Sequence, residues 1–262
     1  MPKTPAELRS SGRAWLGALG RRFPLHRKLF LVPGICNEDA AMWDDVWSWG
    51  SLSIPNWAAY AERVTFESVN PNATFVDLGA YLQAHIGARY PAAAPGAAAV
   101  GEYDLLCYSM GGLDSVSALI SAPGAMAKAF NLITLDTPFD GVPNWKLRQQ
   151  FPDMNGRPDR QSQCAALAPD SPELRTLRAA RGQLASRVER IWCYTAGGDM
   201  AVQVPVTSSN LCADIPPATL FQGPTPSYAS RLVPGASHAG DAAIYANEYA
   251  IALAFGNLLF GQ

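Results

Sequence analysis

The stretch YDLLCYSMGG, residues 103–112, followed by LDSVSALI over 113–120, decides how this chain is read. Residues 103–108 form an apolar run of strand length, and 113–120 carry helical spacing, so a strand runs into a helix with only Ser109 to Gly112 between them. Small or permissive residues around Ser109 allow a tight turn that holds its side chain out over the helix start. An isolated serine before two glycines also marks a plain turn; the placement between strand and helix is what favours a functional one.

Outward from this point, short apolar runs alternate with longer amphipathic stretches. The runs fall at 28–32, 63–66, 103–108, 132–135, 190–195 and 230–233, with helical patterns at 39–49, 75–86, 113–120 and, strongly apolar, about 241–259. This rhythm predicts an α/β fold in which a mostly parallel central sheet is covered by helices on both faces. One domain over 1–262 is expected, because single α/β domains often exceed two hundred residues. The low-complexity stretch PAAAPGAAAV, 91–100, reads as a surface connection. Residues 139–188, with Leu167, Leu174, Leu177 and Leu184 among prolines and arginines, read as a helical insertion and a candidate cap.

Composition narrows the function classes. A hydrophobic share of 48% with 16% charged residues supports a large core and excludes a disordered chain. The net charge of −2 gives no basic footprint for nucleic acid, so a small-molecule partner is expected. Arg9, Arg13, Arg21 and Arg22 surround Trp15, Leu16 and Leu19 in what reads as a helical arm packed on the domain; contact with an anionic membrane surface is the less favoured reading. No apolar run reaches the roughly twenty residues of a membrane span or resembles a signal peptide, and a cytoplasmic location is expected. The five cysteines are odd in number and lack any C-x-x-C pair, so neither a disulfide framework nor a zinc site is suggested; a Cys193–Cys212 bridge stays open. Trp43, Trp47, Trp49 and Trp57 either line a pocket or, at helical spacing, pack the core, which is the preferred reading.

A serine hydroxyl is a weak nucleophile near neutral pH, so acyl transfer through Ser109 needs a base, a carboxylate to hold that base, and amide donors for the oxyanion. Of the three histidines, His26 precedes the first run and His85 lies inside a helical pattern, whereas His238 follows the strand end Val233-Pro234-Gly235 and precedes a helix. Asp199, after the run 190–195 and a Gly-Gly turn, and Asp136, which also ends a strand, are the two candidate acids. Asp140, Asp214 and Asp241 read as helix caps or solvated side chains.

From about residue 29 onward, the chain resembles the bacterial lipase and esterase branch of the α/β-hydrolase superfamily. CYSMG at 107–111 resembles the nucleophile elbow G-x-S-x-G, with Cys107 in place of the first glycine. LVPGICN at 31–37 resembles the oxyanion loop, with Pro33-Gly34 where the family has His-Gly. LITLDTPFDGVP at 132–143, LAPDSPELRTL at 167–177 and GGDMAVQVP at 197–205 resemble a strand end, a cap segment and the acid loop.

The resemblance implies an α/β-hydrolase fold with a helical cap and cleavage of carboxylic esters. Ser109 would be the nucleophile, His238 the base and Asp199 the acid, in the family's chain order, although some lipases take the carboxylate from the position of Asp136. The backbone N–H groups of Ile35 and Met110 would hold the oxyanion. No metal or organic cofactor is required. The polar stretch 153–163 argues against a broad apolar lid, so short or medium acyl esters are the expected substrates. Acyl transfer to another acceptor, thioester or polyester cleavage, and a non-catalytic binding role on the same fold stay open.

Overall fold

Leu29, Phe30, Leu31 and Val32 are all fully buried, which requires a strand covered on both faces. They belong to β1 (Lys28–Val32), and the computed structural model pairs it with β2 (Ala61–Arg63) on one side and β3 (Tyr103–Tyr108) on the other. The structure describes residues 14, 24–37, 39–91, 101–121, 126–142, 160–197, 228–239 and 242–260. Among these, β4 (Ala129–Leu135), β5 (Val188–Ala196) and β6 (Tyr228–Val233) complete a six-stranded sheet, all parallel, in the order β2-β1-β3-β4-β5-β6. The expected mostly parallel sheet flanked by helices is the architecture observed.

Alternate side chains of β1, β3, β4 and β5 enter two cores. Phe30, Val32, Leu105, Cys107 and Leu132 face one side, where α3 (Phe75–Gly87) and α4 (Met110–Ser121) pack. Leu29, Leu31, Leu106, Ile133 and Tyr194 face the other, against α1 (Asp44–Ser53), α2 (Trp57–Tyr60) and α7 (Glu248–Phe260). Trp43 and Trp57 are buried in this second core, and the Trp57 ring lies 5.3 Å from that of Phe255. The tryptophan cluster is therefore packing. Within the insertion, α5 (Gln161–Ala166) and α6 (Pro172–Ala180) place Leu167, Leu174, Leu177 and Leu184 in the first core.

Several boundaries differ from expectation, and three of the shifts have a local cause. The second strand is Ala61–Arg63 rather than 63–66, because an edge strand tolerates Glu62 and Arg63 once they are paired, Arg63 with Asp44 at 2.5 Å and Glu62 with Lys28 at 3.2 Å. Val64 and Phe66 then bury their side chains beyond the strand end. The first helix starts at Asp44, after a 3₁₀ turn over Ala41–Trp43. The last starts at Glu248, where the Asn247 side chain accepts from the N–H groups of Tyr249 and Ala250, both at 3.1 Å.

The N-terminal arm before residue 24 apart from residue 14, the connection 92–100, and Cys212 with its possible bridge lie outside the described residues. Among those described, no helix is long and apolar enough to cross a membrane.

Candidate active site

The chain steps from β1 outward to β2, then returns across β1 to β3, so strand order reverses between β1 and β3. Crevices at such a switch point open at the carboxyl ends of the strands. The segments that leave those two ends are Pro33 to Cys36 and Ser109.

With β3 ending at Tyr108 and α4 beginning at Met110, Ser109 makes the turn by itself, at a left-handed φ of 50°. A non-glycine residue there stores about 1–3 kcal/mol of strain, which persists only where the surroundings enforce it. They do. Its N–H donates to the Leu135 carbonyl at 2.9 Å, and its carbonyl accepts from the Gly112 N–H at 3.1 Å. A Cβ added to Gly111 would fall 2.3 Å from the Pro33 carbonyl oxygen, and one on Gly34 would fall 2.9 Å from the Ser109 Cβ. Both glycines thus let the loop after β1 press against the turn.

Cys107, which stands where the resembling pattern has glycine, turns its side chain into the space between β3 and α4. Its Sγ lies 3.1 Å from Ser115 Oγ, and burial pushes the thiol well up from its ordinary pKa.

His238 reaches the serine from the loop after β6. Gly235 turns that loop at a φ of 73°, and backbone bonds from Ser237 N–H to Ala242 O at 2.8 Å and from Ile244 N–H to Ser237 O at 2.9 Å close it. His238 Nε2 lies 3.0 Å from Ser109 Oγ, and its Nδ1 lies 2.7 Å from Asp136 Oδ2. A carboxylate oxygen can only accept, so the arrangement places the proton on Nδ1 and leaves Nε2 to accept from the serine hydroxyl. Asp136 is itself held at its second oxygen by the Ala196 N–H at 3.0 Å.

The carboxylate on His238 is therefore Asp136, where the sequence favoured Asp199. Asp199 lies outside the described residues. Tyr108 pairs with Leu135, so the next residues, Ser109 and Asp136, leave neighbouring strands side by side.

Of the two residues expected to hold the oxyanion, Ile35 lies in the loop after β1 and Met110 is the first residue of α4. Both are buried, and among the described residues neither N–H donates to a turn or cap carbonyl. Of the competing acids, Asp140 follows the strand-end segment, while Asp214 and Asp241 lie outside the described residues. Of the other histidines, His85 pairs with Glu62 at 2.7 Å, far from this edge of the sheet. Sequence reasoning overlooked Tyr108, whose ring stacks on the His238 imidazole with centroids 5.2 Å apart. The only available signal was its position immediately before the serine.

Similar architectures occur in solved structures. The mature form of a Bacillus licheniformis lipase matches with a TM-score of 0.55 at 16% identity, over 90% of this chain and 93% of its own. A Bacillus subtilis carboxylesterase matches at 0.51 and 14% identity over 97% and 98%. A Legionella pneumophila phospholipase, in complex with thio-NAD, matches at 0.60 and 13% identity over 89% of this chain and 58% of its own. No protein-family model and no curated protein matches the sequence. The likenesses, together with the strand order and helical layers, give this chain the α/β-hydrolase fold.

Proposed function

We propose that this protein is a serine hydrolase that cleaves carboxylic esters through an acyl-enzyme. The observation that carries the reading is the continuous relay at the carboxyl edge of the sheet, 3.0 Å from Ser109 Oγ to His238 Nε2 and 2.7 Å from His238 Nδ1 to Asp136 Oδ2. In the first half-reaction, Ser109 Oγ attacks the ester carbonyl carbon as its proton passes to Nε2. The N–H groups of Ile35 and Met110 hold the oxyanion, and the imidazolium is stabilised by Asp136. The proton then passes to the leaving alkoxide as the C–O bond breaks. In the second half, His238 deprotonates a water that attacks the acyl carbon, and collapse returns the proton to Ser109.

The substrate in this reading is a small-molecule ester, and the insertion 139–188 acts as the cap of a single domain. The Asp136 strand end leads directly into that insertion, and the Val142 N–H donates to Leu167 O at 2.7 Å across it, which favours a cap anchored beside the acid.

Hydrolysis of p-nitrophenyl esters of increasing chain length tests the proposal. Wild-type protein hydrolyses the short and medium esters and is labelled once by a fluorophosphonate, and Ser109→Ala abolishes both. Folded wild-type protein that neither turns over nor is labelled refutes it.

A further inference from the structure

Tyr108 lies on the face of β3 opposite Cys107, with its side chain buried beneath the His238 loop. Its ring is inclined 30° to the imidazole at 5.2 Å, a stacked arrangement, while its hydroxyl donates to the main-chain carbonyl of His238 at 2.5 Å. The edge of Tyr245, 4.7 Å away at 72°, braces the phenol on another side. Gly34 leaves it room, since a Cβ there would fall 2.8 Å from Tyr108 Cδ1.

The geometry points to Tyr108 as a positioning residue for His238, holding the imidazole by its backbone and by its ring face. This inference rests on the ester-hydrolase reading given above. Asp136 fixes the imidazole at Nδ1 alone, which leaves the ring free to tilt about that contact. The tyrosine restrains that tilt at two further points, the carbonyl of the same residue and the plane of the ring. Burial raises the Tyr108 hydroxyl well above its ordinary pKa, so it stays a donor across the working pH range. A base held in one orientation keeps the serine proton within reach through the attack, and misplacement of about an ångström is enough to slow such steps severely.

Tyr108→Phe removes the hydroxyl and keeps the ring; Tyr108→Leu removes both. With p-nitrophenyl butyrate, Tyr108→Phe lowers kcat about threefold to tenfold, as loss of one hydrogen bond should, with KM unchanged and a melting temperature lowered by only a few degrees, so that the protein stays folded at the assay temperature. Tyr108→Leu lowers kcat further, by about thirtyfold or more. In proton NMR, the downfield Nδ1 resonance of His238 broadens in Tyr108→Phe and is lost in Tyr108→Leu.

Both variants matching wild type in kcat and in that resonance would overturn the inference, as would kcat losses that only follow the unfolded fraction. A wild-type protein that no fluorophosphonate labels removes the esterase reading instead, and the imidazole resonance still decides the tyrosine's role.

Discussion

At the residue scale, the turn at Ser109 holds a non-glycine residue in a strained conformation. A left-handed φ of 50° suits glycine and not serine, and the hydrogen bonds of Ser109 to Leu135 and Gly112 hold it there. Ser109→Gly relieves that strain and Ser109→Ala keeps it. Urea unfolding should therefore find the glycine variant more stable than the alanine variant by about 1 kcal/mol, although glycine loses more entropy on folding. Equal stabilities would mean that the turn is unstrained. Asp136 shares this conformation, with a φ of 52°, so both strand ends turn their side chains sharply towards the same crevice. That serine and the histidine were legible because each follows an apolar run at a turn. The carboxylate was less legible because two aspartates satisfy that description; the one in contact with His238 is Asp136, the competing candidate.

At the scale of elements, the strands with both faces buried were legible and the β2 edge was not. β1 and β3 read as unbroken apolar runs because helices cover them on both sides, whereas β2 contains Glu62 and Arg63 and reads as polar. Glu62 is made tolerable by its neighbours. Burial alone would raise its carboxyl, but hydrogen bonds from Arg89, His85 and Lys28 outweigh it and leave the pKa at about 2. The last helix was read as starting too early because its apolar pattern extends back past the cap. Asn247 supplies that cap, and Asn247→Ala should lower the unfolding free energy by about 1 kcal/mol, read by urea or thermal denaturation. No change would place the helix start elsewhere. The helix α3 is capped similarly, by a reciprocal pair between Thr74 and Asp77.

At the scale of the whole molecule, the fold was legible because parallel strands and amphipathic helices write different periods into the chain, but its buried charges were not. Asp114, on α4, has both carboxyl oxygens buried without a hydrogen-bond partner among the described residues, and burial raises its pKa well above the ordinary value of 3.8. Asp104, buried in the sheet, is raised by burial to about 6, even though Asn131 donates to it. A carboxyl whose pKa is higher in the folded state binds its proton more tightly there. Its stabilising effect is complete below the unfolded value and is lost as pH rises through the folded one. Stability should therefore fall from about pH 4 upward, by at most about 1.4 kcal/mol per pH unit for each such group. Asp114→Asn removes one of the two contributions, so its denaturation midpoint should gain on wild type as pH rises from 4 to 6; parallel curves would show that Asp114 is not buried as a neutral acid.

The relay from Ser109 through His238 to Asp136 is tested most directly by comparing kcat for p-nitrophenyl butyrate in Asp136→Asn and Asp199→Asn, each checked for folding. Loss of the carboxylate that orients the base should lower kcat by about a thousandfold or more in Asp136→Asn, and Asp199→Asn should stay near wild type. The opposite pattern, with Asp199→Asn inactive and Asp136→Asn active, would contradict the account.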